Sequence, residues 1–139
     1  MHHVKQHQAT WKSSIALLIS SILCGVVLAF LFLGLGITLA GNFATNLKLG
    51  SAIGWEAGGV IGFLIGLGLG SFLGLFAASK LLHVKGSYID SFFEVCLAVI
   101  ILLFSYAFGV TGVEILILMV LPIMTAYLGF QFPLLAKEM

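Results

Sequence analysis

Long apolar segments separated by short polar ones dominate the chain. Four of them stand out, at about 13–40, 53–82, 87–110 and 113–136. A helix needs about 20 residues, within a range of about 17–25, to cross the hydrocarbon core of a bilayer. The last two segments fit that length, whereas the first two are long enough to tilt or protrude. The pattern predicts an all-α, integral membrane four-helix bundle: a single transmembrane domain over residues 1–139, with an N-terminal tail over 1–12.

The connections between these segments are short and carry turn-forming residues. They lie at about 41–50, 83–87 and 109–112, and each of them contains glycine. Glycine with Asn, Ser or Thr marks turns rather than continued helix. Because such short connections join antiparallel neighbours, consecutive helices are expected to run in opposite directions.

Composition supports lipid as the solvent. Hydrophobic residues make up 61% of the chain and charged residues only 8%, against about 45–50% and about 25% in soluble domains. A soluble domain could not cover its surface with so few charges. The net charge of +1 comes with six scattered lysines and no arginine, which argues against nucleic acid as a partner.

The lysines predict the orientation of the helices. With four crossings, five of the six lysines fall on one side of the membrane and a single lysine falls on the other. The first set is Lys5, Lys12, Lys80, Lys85 and Lys137, and the single residue is Lys48. Since cytoplasmic segments are enriched in Lys and Arg, both termini are expected to be cytoplasmic. We expect a bacterial inner (plasma) membrane location, N-in and C-in.

The second apolar segment contains a row of glycines at every fourth position. The row comprises Gly54, Gly58, Gly62, Gly66, Gly70 and Gly74. Residues four apart are neighbours along one face of a helix, so these positions form a strip of bare backbone. Small residues let the backbones of membrane helices approach closely. We call this strip the glycine row and interpret it as a helix-packing surface.

The partner of the glycine row is open from sequence alone. Ser21, Gly25 and Ala29 form a small-residue row in the first segment, which favours packing within the chain. Self-association, docking to another membrane subunit and the lining of a pore are the alternatives. A partner on such a row is expected to cross at about −40°, and straight helices at that angle contact each other over only two or three turns.

Acidic residues within apolar segments are the candidates for a polar or ion site. Glu94 lies roughly 10 Å into the third segment, with Asp90 one turn earlier and Gln131 expected at a similar depth. A carboxylate at that depth marks a relay, a binding site or a structural hydrogen bond. Glu56 and Glu114 begin the second and fourth segments, where they either complement the helix dipole or converge on a cation.

Three further features are a proline in the fourth segment, a histidine-rich tail and two cysteines. Pro122 predicts a kink in the fourth helix because it removes a backbone donor. The tail has three histidines within residues 2–7, a metal-prone tract, but we predict no metal site and no cofactor. The two cysteines, in apolar segments, are expected to be inert.

The sequence contains no catalytic motif, so we predict a non-enzymatic protein. It would act through helix–helix packing, as a self-associating bundle or as an accessory or assembly subunit of a membrane complex. The expected partners are the lipid bilayer and either further copies of the chain or another membrane subunit. The alternative is a small ion- or proton-coupled transporter or channel that uses membrane carboxylates.

Overall fold

A computed structural model describes residues 11–110 and 113–135, without side chains for Val113 and residues 132–135. The histidine tract, Lys5 and Lys137 lie outside the described residues, as do two residues of the third connection. In chain order the elements are α1 (Trp11–Phe43), β1 (Lys48–Leu49), β2 (Ala52–Ile53), α2 (Trp55–Leu81), α3 (Tyr88–Ala107), α4 (Val113–Leu118) and α5 (Leu121–Leu135).

The described chain is almost entirely helical and contains four helical spans that are long and apolar enough to cross a membrane. They are α1, α2, α3 and a composite span over Glu114–Gln131 formed by α4 and α5. This architecture confirms the predicted all-α fold with four spans. The predicted orientation of the termini stays a prediction.

Helix α2 is the central element of the bundle. Half of the residues in its apolar window are buried, against 22% in α1 and in α3. Helix α1 packs along most of α2, while α3 packs mainly against α5, and α2 contacts both of these helices. The other spans therefore leave most of their apolar side chains facing outward, as lipid-solvated helices do.

Two clusters of buried apolar side chains fill the space between these helices. One contains Leu17, Leu75 and Phe130 and lies where α2 ends and α3 begins. The other contains Leu64, Leu102 and Ile115 and lies nearer the opposite end. The first cluster holds α2 against α3 and α5, and the second holds α2 against α3 and α4.

The connection between α1 and α2 contains a small β-hairpin that the sequence analysis missed. Strands β1 and β2 pair antiparallel, with Lys48 opposite Ile53 and Leu49 opposite Ala52. The two-residue turn begins with Gly50, which has a positive φ of 58°. Glycine followed by serine between two short apolar runs is a recognisable hairpin signal.

The fourth span is interrupted between α4 and α5. Helix α4 ends at Leu118, and α5 begins at Leu121, one residue before Pro122. A helical Pro122 would leave the carbonyl of Leu118 without its usual N–H partner and would press its ring against that carbonyl. The interruption therefore falls at the position expected from Pro122.

Candidate functional site: the glycine-faced helix interface

Five residues of the glycine row lie directly against the backbone of α1. A Cβ atom built on any of them would overlap a carbonyl group of α1. The contacts pair Gly58 with Gly36, Gly62 with Phe32, Gly66 with Leu28, Gly70 with Cys24 and Gly74 with Ser20. Each step of four residues along α2 is matched by a step of four back along α1. The structure thus brings the two backbones together at five successive rungs.

The contact is longer than straight helices crossing at about 40° would allow. From Gly58 to Gly74 it covers about 24 Å of α2, at 1.5 Å per residue. Both rows repeat every four residues, which exceeds the 3.6 residues of a helical turn, so the two helices must coil around each other with a right-handed twist. The limit of two or three turns holds for straight helices, and here the contact continues through five rungs.

The chemistry of each rung is a contact between a glycine Cα and a carbonyl oxygen. At each of the five glycines, the carbonyl of α1 occupies the direction in which a side chain would leave the Cα. A hydrogen atom occupies that direction in glycine, so the geometry suits a Cα–H···O=C contact. Such contacts contribute about 0.5–1 kcal/mol each, in addition to the van der Waals contact of two bare backbones.

Serine hydroxyls add conventional hydrogen bonds to the same interface. Ser21 Oγ donates to the carbonyl of Ser71 at 2.9 Å, and Ser20 Oγ donates to the carbonyl of Gly74 at 2.9 Å. Ser71 Oγ donates within α2 to Leu67 at 2.8 Å. Each of these hydroxyls is therefore satisfied inside the apolar interior.

The small-residue row of α1 lies in this interface as well. Ser21, Gly25 and Ala29 are all buried, and a Cβ on Gly25 would come within 2.7 Å of Ser71 Oγ. Sequence reasoning missed the adjacent row, from Ser20 to Gly36, that supplies the carbonyl groups. It could not have been found from residue types, because every residue has a carbonyl.

Gly54 does not belong to the interhelix contact. It precedes α2 with a φ of 61°, and a Cβ there would come within 2.9 Å of the carbonyl oxygen of Thr45. Its role is to close the hairpin and begin α2, because L-residues rarely adopt that conformation. The glycine row therefore packs on α1 through its last five members only.

A second close contact joins α3 to α5. Ser91 Oγ donates to the carbonyl of Ala126 at 2.8 Å, and a Cβ on Gly129 would lie 2.9 Å from the Cα of Ser91. The backbone N–H of Ser87 also donates to Phe130 at 3.0 Å. A serine and a glycine on different helices carry no spacing signal, so the sequence analysis did not find this pair.

The acidic candidates are not brought together by any contact within residues 11–110 and 113–135. Glu94 is half-buried, while Asp90, Glu56 and Glu114 are exposed. None of the four forms a side-chain hydrogen bond or ion pair with another described residue. Gln131 donates through Nε2 to the Tyr127 hydroxyl at 2.9 Å rather than to Glu94.

Helix geometry accounts for the positions of three of these acids. Asp90, Glu56 and Glu114 each lie in the first turn of a helix. A negative charge there is favourable beside the unpaired N–H groups. Among the described residues, no group of three or more His, Cys, Asp or Glu side chains could hold a metal ion.

The fold and this interface define the class of the chain: its described residues are almost entirely helical and contain four apolar spans, which indicates a membrane-embedded protein. Comparison with protein-family models, curated proteins and solved structures gives no match.

Proposed function

We propose that this chain is a non-enzymatic, multi-pass membrane protein that acts through helix–helix packing. It would serve as a self-associating bundle or as an accessory or assembly subunit of a membrane complex. One observation carries the proposal: the buried polar side chains among the described residues form structural hydrogen bonds. Its four buried serines, Ser21, Ser71, Ser79 and Ser91, all donate to backbone carbonyls.

The surface for association would differ from the glycine row. In the structure α1 already covers that row along five rungs. A second copy could use the row only by displacing α1, at the cost of its hydrogen bonds and backbone contacts. We therefore assign association to the outward faces of α1 and α3, where Leu31 is 58% exposed and Phe104 is 61% exposed.

Co-purification of two copies tests this proposal. Tagged and untagged full-length chains would be co-expressed and extracted in mild detergent, and the tagged chain would be captured. We expect a second copy or one other membrane subunit in a fixed ratio to the tagged chain. Leu31→Ala and Phe104→Ala would then show whether α1 or α3 forms the contact. A chain that is captured alone and is monomeric in nanodiscs would refute the proposal.

Bulky substitutions in the glycine row cannot test association. Gly62→Leu and Gly66→Leu would both insert a side chain into the backbone of α1. Loss of an oligomer in either variant would follow from damage to the fold of one chain. The test therefore relies on outward-facing positions, with thermal unfolding measured for each variant.

A second candidate function is ion- or proton-coupled transport through Glu94. It is favoured by one observation: Glu94 is half-buried within α3, about 9 Å from the start of that helix, and has no side-chain partner among the described residues. A carboxylate at such depth costs free energy in lipid, and where one occurs it usually marks a functional site. Proton or cation flux into liposomes that Glu94→Gln abolishes, and that the first-turn variant Glu114→Gln leaves unchanged, would support transport. Equal flux in both variants and in empty liposomes would exclude it.

A further inference from the structure

A groove opens between α1 and α2 at the hairpin end of their contact. Its floor is formed by Gly36, Gly58 and Gly62, and its outer wall by Leu39 and Phe43 of α1. At this end α1 and α2 contact each other through the backbones of Gly36, Gly58 and Gly62, and no side chain projects from these three positions into the groove. The groove extends along α1 from Phe32 to Phe43, about 16 Å at 1.5 Å per residue.

The lining of the groove is apolar, and its wall faces outward. Leu39 is 58% exposed and Phe43 is 84% exposed. Large apolar side chains this exposed are better suited to contact with lipid than with water. A polar ligand would find no partner there, whereas an aliphatic chain would bury its own surface and that of the groove.

The groove has room for one extended hydrocarbon chain. Its volume is about 420 Å³, within the range of about 300–1,000 Å³ typical of ligand pockets. An aliphatic chain lying along it would cover its apolar lining.

Lys48 places a positive charge beside one end of the groove. Leu47 lines the groove, and the next residue is Lys48, whose side chain is exposed. The other described lysines, Lys12, Lys80 and Lys85, lie near the opposite ends of α1 and α2. Lys48 is thus the lysine in the described part of the chain that can attract an anionic headgroup at this membrane face.

We propose that this groove binds one acyl chain of an anionic phospholipid, with the phosphate held at Lys48. The acyl chain lies in the groove beside Leu39 and Phe43, and the ammonium group of Lys48 neutralises the headgroup. This inference does not rest on the proposed association, because the groove lies between two helices of one chain.

Lipid retention on the purified, full-length protein tests the chain-binding part. Native mass spectrometry would count phospholipids bound during titration with phosphatidylglycerol. Ile61→Trp would fill the groove, because Ile61 lines it on α2. Leu128→Trp, at an exposed position of α5 outside the groove, is the matched control. We expect one retained lipid in the wild type and in the control, and loss of most of it in Ile61→Trp.

A second groove variant keeps this test decisive if Ile61→Trp does not fold. Leu39→Trp fills the groove from α1 and should cause the same loss. If a folded Ile61→Trp or Leu39→Trp chain retains as much lipid as Leu128→Trp, or if the wild type retains none, the chain-binding part of the proposal is overturned.

The headgroup part is tested separately. Lys48→Gln should bind phosphatidylglycerol about fivefold more weakly than the wild type. The same substitution should leave the binding of phosphatidylcholine with identical acyl chains unchanged, and Lys85→Gln at the opposite end should have no effect on either lipid. Unchanged affinity of Lys48→Gln for phosphatidylglycerol would overturn the assignment of the phosphate to Lys48.

Discussion

Substituting alanine for a single glycine of the row measures how closely α1 and α2 must approach. In Gly66→Ala the added Cβ would lie 2.8 Å from the carbonyl carbon of Leu28 and 2.8 Å from the Cβ of Phe32. Carbon atoms pack favourably at about 3.5–4.0 Å, so the helices must part by about 1 Å at this rung. The nearest atoms belong to backbone, or to a Cβ fixed to it, and cannot swing away.

The matched control is Gly34→Ala on α1. Gly34 also lies inside a helix, but a Cβ there would meet no heavy atom within 4 Å. Both substitutions gain the helix propensity of alanine over glycine, up to about 1 kcal/mol. Comparing the two variants cancels that gain and leaves the cost of overpacking, which is about 1–3 kcal/mol.

We therefore expect Gly66→Ala to be less stable than Gly34→Ala by about 1–3 kcal/mol. The free energy of unfolding would be measured for both variants and the wild type by equilibrium unfolding in mixed micelles. Circular dichroism and a fluorescence probe should report the same transition. If Gly66→Ala proves as stable as Gly34→Ala, α1 and α2 are not in close backbone contact at Gly66.

Two further substitutions test other parts of the interior. Ser21→Ala removes the hydrogen bond to Ser71 and should reduce the free energy of unfolding by about 0.6 kcal/mol, and by at most about 1.7 kcal/mol. Thr38→Ala is the control, because the Thr38 hydroxyl is exposed and bonds within its own helix, and it should reduce the free energy of unfolding by less. A larger loss in Thr38→Ala than in Ser21→Ala would contradict a stabilising hydrogen bond between Ser21 and Ser71. Pro122→Ala restores an N–H donor opposite the carbonyl of Leu118. It should join α4 to α5 and slow amide hydrogen exchange around the break, whereas unchanged exchange would mean that something other than the proline interrupts the helix.

The sequence by itself determined the solvent and the length of the helices. The apolar segments are long enough to span a bilayer, and a chain with only 8% charged residues cannot cover a soluble surface. The spacing of the glycines also determined that α2 carries a bare face, since residues four apart must lie on one side of a helix. These conclusions depend on local properties, which sequence records directly.

Only the tertiary structure decided what that bare face contacts. The sequence left packing on α1, on another subunit and around a pore as alternatives. The groups that contact the glycines are backbone carbonyls, which every residue has, so no residue type marks them. The structure also separated Gly54, which closes the hairpin, from the five glycines that pack on α1.

The acidic residues show the same division. Their positions along the chain explained why Glu56 and Glu114 stand in first turns, whereas the same role of Asp90 emerged from the structure. The spacing of acids could not show which side chains meet across helices. In the structure Gln131 hydrogen-bonds to Tyr127, a residue of its own helix. Contacts between helices depend on register and rotation, which are set by the packing of whole helices and not by any local pattern.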